Sequence, residues 1–401
     1  MSKKLAVICT HPIQYYAPVF QLLAKQVNLK VFYTCGEQSS YQYDNGFDRT
    51  IEWDLPLLEG YDYIFLKNNA KSPGTNHFKG ILNPYLINEL SNFEPNGILI
   101  YGWAWHSHLK AIRFFKGKVP IYFRGDSTLL NKTGFIKTLL RKIFLKWVYK
   151  NVDTAFYVGT HNKAYYKAFG LAEEQLIFAP HAVDNYRFGS TEIDQAKKLR
   201  ADLKVKENEL IILFAGKLVP VKNPFLLLQA FIELGIVNVH LLFVGNGELE
   251  GSLKSKVQSL RNTQILQHFD KFSTGLAQDD KLDRIHFMDF QNQTQMPAVY
   301  QACDLFCLPS KSETWGLSVN EAMACGKAIL VSDKVGCHID LVNDQNGGVF
   351  KSDDVEDLKQ KIIDLTAGKT KLKKMGENSL EQIKKWSFEI QSHIISEYVN
   401  R

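Results

Sequence analysis

Two stretches join charge, glycine and turn-forming residues in ways that suit phosphate and sugar chemistry. The first is Phe214-Ala-Gly216-Lys217-Leu-Val-Pro-Val-Lys222-Asn-Pro224. Gly216 ends an apolar run, and the two lysines flank a turn leading into a helix from Pro224. Two ammonium groups beside a helix N-terminus can neutralise a diphosphate and stabilise it as a leaving group. The Gly-x-x-x-x-Gly-Lys-Ser/Thr order of a triphosphate-binding loop is absent. The second stretch is Pro309-Ser-Lys-Ser-Glu313-Thr-Trp315-Gly316-Leu317-Ser318-Val-Asn-Glu321. Glu313 falls in a loop after a strand, and Glu321 in the helix that starts near Leu317 or Ser318. Backbone amides around Trp315–Ser318 would face a phosphate or sugar oxygen, with Gly316 permitting close approach. Each carboxylate can accept hydrogen bonds from a vicinal hydroxyl pair, one on a sugar and one on a ribose. The plainer alternative is a satisfied helix glutamate at 321, with Glu313 and both lysines as surface groups.

The first half holds a third set. His11 and Gln14 follow the first strand, Trp103, His106 and His108 follow the strand at 98–101, and Arg124 and Asp126 follow the strand at 120–123. All sit at the expected C-terminal ends of parallel strands, the place where open α/β sheets bind ligands, and this makes them candidates for acceptor recognition. His-x-His with a distant His is also a zinc pattern. No consistent acid or thiol ligand accompanies it, so no metal site is expected.

The elements that must position these groups alternate along the chain. Short apolar runs such as Leu5–Cys9, Leu29–Tyr33, Gly97–Tyr101, Leu210–Ala215, Leu305–Leu308 and Ala328–Val331 read as buried parallel strands, separated by helical patterns. The expectation is α/β: two Rossmann-like parallel-sheet domains facing across a deep cleft, with the cleft as the site. Residues 36–80 form an irregular excursion. A linker is expected near 184–205, and a last helix at about Ser379–Tyr398. The boundaries follow as 1–190, 191–375 and a terminal helix from 376 to 401 packing back on the first domain.

A chain of 401 residues suits two domains, and its 45% apolar and 22% charged residues are globular values. The net charge of +6 is uneven: residues 1–190 hold 22 Lys/Arg against 14 Asp/Glu. That excess suits an anionic partner, such as a phosphorylated acceptor or an anionic membrane surface. Nucleic acid is an unfavoured alternative, because no binding module accompanies the basic residues. The six cysteines, at 9, 35, 303, 307, 325 and 337, read as reduced core thiols, and no apolar window is long enough to span a membrane. Apolar residues at 135, 136, 139, 140, 143, 144, 147 and 148 make a helical stripe flanked by Lys137, Arg141, Lys142, Lys146 and Lys150. It reads as the buried face of a domain helix; rest on an anionic lipid surface is the open alternative.

The Glu313–Glu321 segment resembles the signature of the retaining nucleotide-sugar glycosyltransferases of family 4, the glycosyl transferases group 1, which have the GT-B fold. Their Glu-x7-Glu motif lies before and within a helix of the nucleotide-binding domain, as these two residues do. The similarity runs from about Leu210 to Phe350, with Lys217 and Lys222 at the family's basic positions and Gly326, Gly336, Asp340 and Gly347–Gly348 in its downstream pattern. It is weaker through Val158–Asn162 and His181–Asp184. The resemblance implies that Glu313 meets the donor sugar and Glu321 the ribose, that the lysines stabilise the diphosphate, and that Phe287–Phe290 frames the base. It implies a metal-independent, hexosyltransferase-like enzyme with no cofactor, a UDP-sugar favoured over a GDP-sugar as donor, and a glycan or lipid-linked acceptor in surface polysaccharide or glycoconjugate synthesis. The setting implied is cytoplasmic, with peripheral contact at the inner membrane face. An N-domain histidine is expected to act, His106 before His108. The chain departs from the pattern at His11–Gln14, where a Gly-Gly turn is usual, and at Asp289-Phe290. A nucleotide-sugar epimerase or a phosphorylase on the same fold is the alternative activity.

Overall fold

The computed structural model describes residues 3–37, 43–44, 46–47, 49–130, 135–190, 192–270 and 281–401. They form two compact units. Unit 1 comprises Met1–Gln42, Ile51–Asp184 and Lys385–Arg401; unit 2 comprises Tyr43–Thr50 and Asn185–Lys384.

In chain order the first half runs β1 (Lys4–Cys9), α1 (Ala17–Ala24), β2 (Asn28–Tyr33), β3 (Tyr43–Asp44), β4 (Arg49–Thr50), β5 (Asp62–Phe65), α2 (Leu86–Phe93), β6 (Gly97–Tyr101), α3 (His106–Phe115), β7 (Ile121–Arg124), α4 (Phe135–Tyr149), β8 (Thr154–Tyr157), α5 (Thr160–Ala168) and β9 (Leu176–Phe178). Seven of these strands make the parallel sheet of unit 1, in the order β5-β2-β1-β6-β7-β8-β9. The apolar runs form strands because both sheet faces are covered: β6 is buried along its whole length, and Val7 pairs with Val31 on one side and Leu99 on the other.

The chain continues with α6 (Asn185–Gly189), α7 (Ile193–Asp202), β10 (Leu210–Ala215), α8 (Pro224–Leu234), β11 (Val239–Val244), α9 (Glu250–Asp270), β12 (Ile285–Met288), α10 (Met296–Ala302), β13 (Leu305–Leu308), α11 (Leu317–Ala324), β14 (Ala328–Ser332), α12 (His338–Leu341), β15 (Gly347–Phe350), α13 (Val355–Thr366), α14 (Lys369–Ile383) and α15 (Phe388–Asn400). The sheet of unit 2 has the order β12-β11-β10-β13-β14-β15. Chain order reverses between β10 and β13, which makes that junction the switch point where open sheets bind ligands.

Three expectations change. The linker expected over 184–205 is largely helix, α6 and α7, within unit 2. Its polar composition hid the fact that Arg200 pins α7 down, bonding the Ala302 carbonyl at 2.8 Å and the Asp304 carboxylate at 3.0 Å. The single last helix is two, because the extended Ser387 caps α15 by accepting from the Ile390 amide at 3.3 Å. The stripe on α4 is not the buried face. Of its described members only Val148 is buried, together with Leu145 and Tyr149 from beside the stripe, while Leu139, Leu140, Ile143, Phe144 and Trp147 stay outside. The first residues expected in that helix, 132–134, lie outside the described residues.

Candidate functional site

In unit 2 the loops after β10 and β13 meet at the switch point. Gly216 leaves β10 at φ 149°, and a single 3-10 turn, Pro220–Lys222, carries Lys222 toward α8. The Val221 carbonyl accepts from the Lys311 amide at 2.8 Å, which ties this loop to the one after β13. Across that tie the Lys222 ammonium donates to the Glu313 carboxylate, with both side chains about four-fifths buried. Glu313 is itself fixed by backbone: its amide donates to the Lys334 carbonyl, and its carbonyl accepts from the Gly336 amide, each at 3.0 Å.

Two glycines are required here by close approach. A Cβ on Gly336 would lie 1.9 Å from the Thr314 carbonyl oxygen. Gly316, at φ 100°, forms the N-cap of α11, and a Cβ there would lie 2.9 Å from Val335. The chain thus turns sharply into α11, which begins only four residues after Glu313. Glu321, one turn further on, is buried and accepts from the Tyr300 hydroxyl at 2.8 Å. Trp315 does not offer a stacking face: its ring is 3% exposed and its indole N–H donates to Asn320 at 2.9 Å. The Trp315 carbonyl accepts from the Cys337 amide at 2.9 Å.

The base-framing segment behaves differently at its two phenylalanines. Phe287 stacks on Phe243 in the sheet layer, with ring centroids 5.4 Å apart, while the Phe290 amide donates to Asn246 at 2.8 Å. The β3–β4 hairpin, which belongs to unit 2, sets Phe47 edge-on to Phe290 at 5.0 Å and Arg49 over the same ring at 5.2 Å. The Lys217 ammonium lies 5.0 Å from the centre of the Phe47 ring. Sequence reasoning missed this hairpin, because nothing within the irregular 36–80 excursion ties it to a lysine and a phenylalanine so distant in the chain. Tyr300 was missed too; a tyrosine on an apolar helix carries no sign of a distant carboxylate.

Unit 1 gathers its candidates at one sheet edge but buries several. His108 is fully buried, its Nδ1 donating to the Gly102 carbonyl at 2.9 Å and its Nε2 bonded to the Thr34 hydroxyl at 2.8 Å, and burial lowers its pKa to about 4. It is a neutral core imidazole, so the expectation of an acting histidine at 108 is corrected. Arg124 is likewise internal: its two terminal nitrogens donate to the Ala179 and Pro180 carbonyls at 2.9 Å, so it braces the loop after β9 rather than facing an acceptor. His106 is exposed at the first position of α3, edge-on to Phe78 at 5.8 Å. His11 bonds Thr10 at 3.0 Å and is half-buried, as are Gln14 and Asp126. Trp103 packs edge-on against Phe144 of α4 at 5.4 Å. His181, beside Tyr16 at this edge, has its pKa lowered to about 3 by burial and by Arg124. Among the described residues no group of three or more His, Cys, Asp or Glu is placed to hold a metal ion. None of their helices is long and apolar enough to cross a membrane.

Comparison with known proteins finds a family resemblance in unit 2. Residues 195–382 match the glycosyl transferases group 1 family. A D-inositol 3-phosphate glycosyltransferase of Segniliparus rotundus is 29% identical over 192 residues, which is 47% of this chain and 39% of that protein. The same-named protein of Rhodococcus erythropolis is 25% identical over 237 residues, 57% of this chain and 48% of that one. The chain thus spans less than half the length of these curated relatives. Among solved structures, Anabaena HepE in complex with UDP and glucose covers 99% of both chains with a TM-score of 0.69 at 18% identity. WaaG, a glycosyltransferase involved in lipopolysaccharide biosynthesis, covers 98% of this chain and 99% of its own at a TM-score of 0.64 and 13% identity. These structural likenesses show the fold, which is GT-B. The part that matches the glycosyl transferases group 1 family lies within unit 2.

Proposed function

We propose that the chain transfers a sugar, with retention at the anomeric carbon, from a nucleoside-diphosphate sugar to a hydroxyl of a glycan or glycolipid. The observation that carries this reading is the Lys222–Glu313 pair at the switch point of unit 2, on the loop that leads into α11. A donor entering there gives each member a new partner, a phosphate oxygen for the ammonium and a sugar hydroxyl for the carboxylate. Lys217 and the first amides of α11 add positive potential where charge develops on the departing diphosphate. Glu321, held by Tyr300, is the proposed ribose acceptor, and Phe290 borders the base. The acceptor hydroxyl attacks on the face the diphosphate leaves, and its proton passes to the departing phosphate oxygen. This chemistry asks for no metal.

A UDP-sugar is the favoured donor, a choice supported by the UDP complexes of HepE. On the acceptor side the proposal keeps His11, Gln14, Trp103, His106 and Asp126, the candidates with surface to offer. The proposed setting is the cytoplasmic side of a cell membrane, in surface polysaccharide or glycoconjugate synthesis, with peripheral contact to anionic lipid. Thermal-shift titration with UDP-, GDP- and ADP-sugars tests the donor reading: a ligand at about 100 times its Kd should add about 2.7 kcal/mol of stability. A UDP-sugar shift that disappears in Lys222→Ala supports it; no shift with any of the three overturns it. Epimerised sugar, or sugar phosphate formed with inorganic phosphate in the absence of an acceptor, would move the chain to another reaction.

A further inference from the structure

Helix α4 carries two apolar stripes, and only one enters the core of unit 1; the other is touched by Trp103 and Arg113 but stays largely exposed. Leu145, Val148 and Tyr149 enter the core, whereas Leu139, Leu140, Ile143, Phe144 and Trp147 are 41–63% exposed. At 3.6 residues per turn the outward five cover an arc of roughly 140°. Isolated exposed apolar residues are ordinary, but five on one helix face form a contiguous patch that marks an interaction surface.

The surroundings of the patch are cationic. Lys142, Lys146 and Lys150 border one flank of the arc, and Arg141 turns to the other, its guanidinium 5.8 Å from the Tyr165 ring. Helix α3 extends the surface. Arg113 lies over Trp147 at 5.0 Å, and Phe114, 42% exposed, has the Lys118 ammonium 3.4 Å from its ring centre. Beside it Lys110 and Arg113 share an open cavity of about 320 Å³ with Phe78 and Phe114. Residues 102–150 hold 11 Lys/Arg and a single acid, Asp126, so more than the whole +8 excess of the first half comes from this segment.

We propose that the outer face of α3 and α4 docks on a bilayer containing anionic phospholipid. The leucines, Ile143, Phe144 and Trp147 enter the boundary between headgroups and acyl chains, and the bordering lysines meet lipid phosphates. The Lys110–Arg113 cavity takes one headgroup phosphate. Charge complementarity selects this occupant: the apolar patch is rimmed by one sign of charge, which an acidic lipid surface neutralises along its whole edge. The inference rests on the membrane setting proposed above, and names the face and the lipid charge that would produce it.

The test is flotation of the full chain with neutral phosphatidylcholine vesicles and with vesicles carrying about 30% phosphatidylglycerol. Wild type should float with the anionic vesicles at least about tenfold more strongly than with the neutral ones. Leu140→Asp/Ile143→Asp should lose binding about tenfold or more, and Lys142→Glu/Lys146→Glu should do the same at low salt. Circular dichroism melts and UDP binding, read on the same variants, should be unchanged. UDP binding also separates failure of this surface from failure of the donor reading. Absence of wild-type flotation, or variants that float like wild type, overturns the proposal. So does flotation that inorganic phosphate alone abolishes, since the cavity would then be a free-phosphate site. If Leu140→Asp/Ile143→Asp instead dissociates a dimer in sedimentation, the patch belongs to a second copy and the lipid reading falls.

Discussion

The two sheets present their C-terminal edges in opposite chemical styles. Unit 2 keeps charge at its edge: Lys222 and Glu313 are paired there, on a backbone locked by Gly316 and Gly336. Unit 1 draws much of its edge into the core. His108 and His181 are neutralised by burial, and the Arg124 guanidinium is occupied by two backbone carbonyls. A charged edge stands ready to meet charge on a ligand. A buried neutral edge mainly sets the shape of the surface above it, leaving recognition to the few side chains that still reach out.

The largest effect should come from the charged edge. Glu313→Ala is expected to lower kcat/KM for sugar transfer by roughly 10²–10³-fold, with an unchanged melting curve. Full activity in that variant would remove unit 2's distinction. Gly336→Ala comes next, because its Cβ must displace the Thr314 carbonyl. Urea unfolding should show a loss of about 3 kcal/mol or more, together with weakened UDP binding. If UDP binding survives intact, the Glu313 loop does not shape the donor site.

Arg124→Met probes the other edge. Removing the guanidinium donors from the Ala179 and Pro180 carbonyls should cost about 2–4 kcal/mol in urea unfolding and leave UDP binding untouched. The pH response is smaller. His108 falls from an ordinary 6.5 to about 4 on burial, so the unfolded chain takes up its proton first as pH drops. The stability this group contributes is therefore complete above pH 6.5 and drains away toward pH 4, about 2 kcal/mol being gone at pH 5. Thermal melts of His108→Asn at pH 7 and pH 5 should differ less than those of wild type. Equal slopes would mean that the imidazole is not buried neutral.

The same contrast explains what the sequence could tell. Strands were legible wherever both faces are buried, since continuous apolar runs such as Leu210–Ala215 have few other uses. On the expected donor side each of the two segments stood out locally, as a strand, loop and helix, but the Lys222–Glu313 pairing spans 91 residues and nothing local announced it. The unit 1 edge is built from distant pairs: His108 with Thr34, 74 residues apart, and Arg124 with Ala179, 55 apart. Nothing local to Arg124-Gly-Asp126 distinguishes an arginine that braces a loop from one that greets a ligand. Helix α4 misled for a related reason, since a periodic stripe gives the spacing of a face but not which of two apolar faces turns inward.

Helix α15 sets a timetable for biosynthesis. Its Phe388, Ile395 and Val399 join a core cluster with Phe20, Tyr122 and Phe156, and Ser396 bonds Gln26 across 370 residues. A ribosome adding roughly 5–20 residues per second needs on the order of 10–40 s to travel from Asp184 to this helix. Throughout that interval the sheet of unit 1 already exists as sequence, but its α15-facing layer is bare, while all of unit 2 is being made. The nascent chain therefore carries an open apolar seam until α15 has been made and can close it.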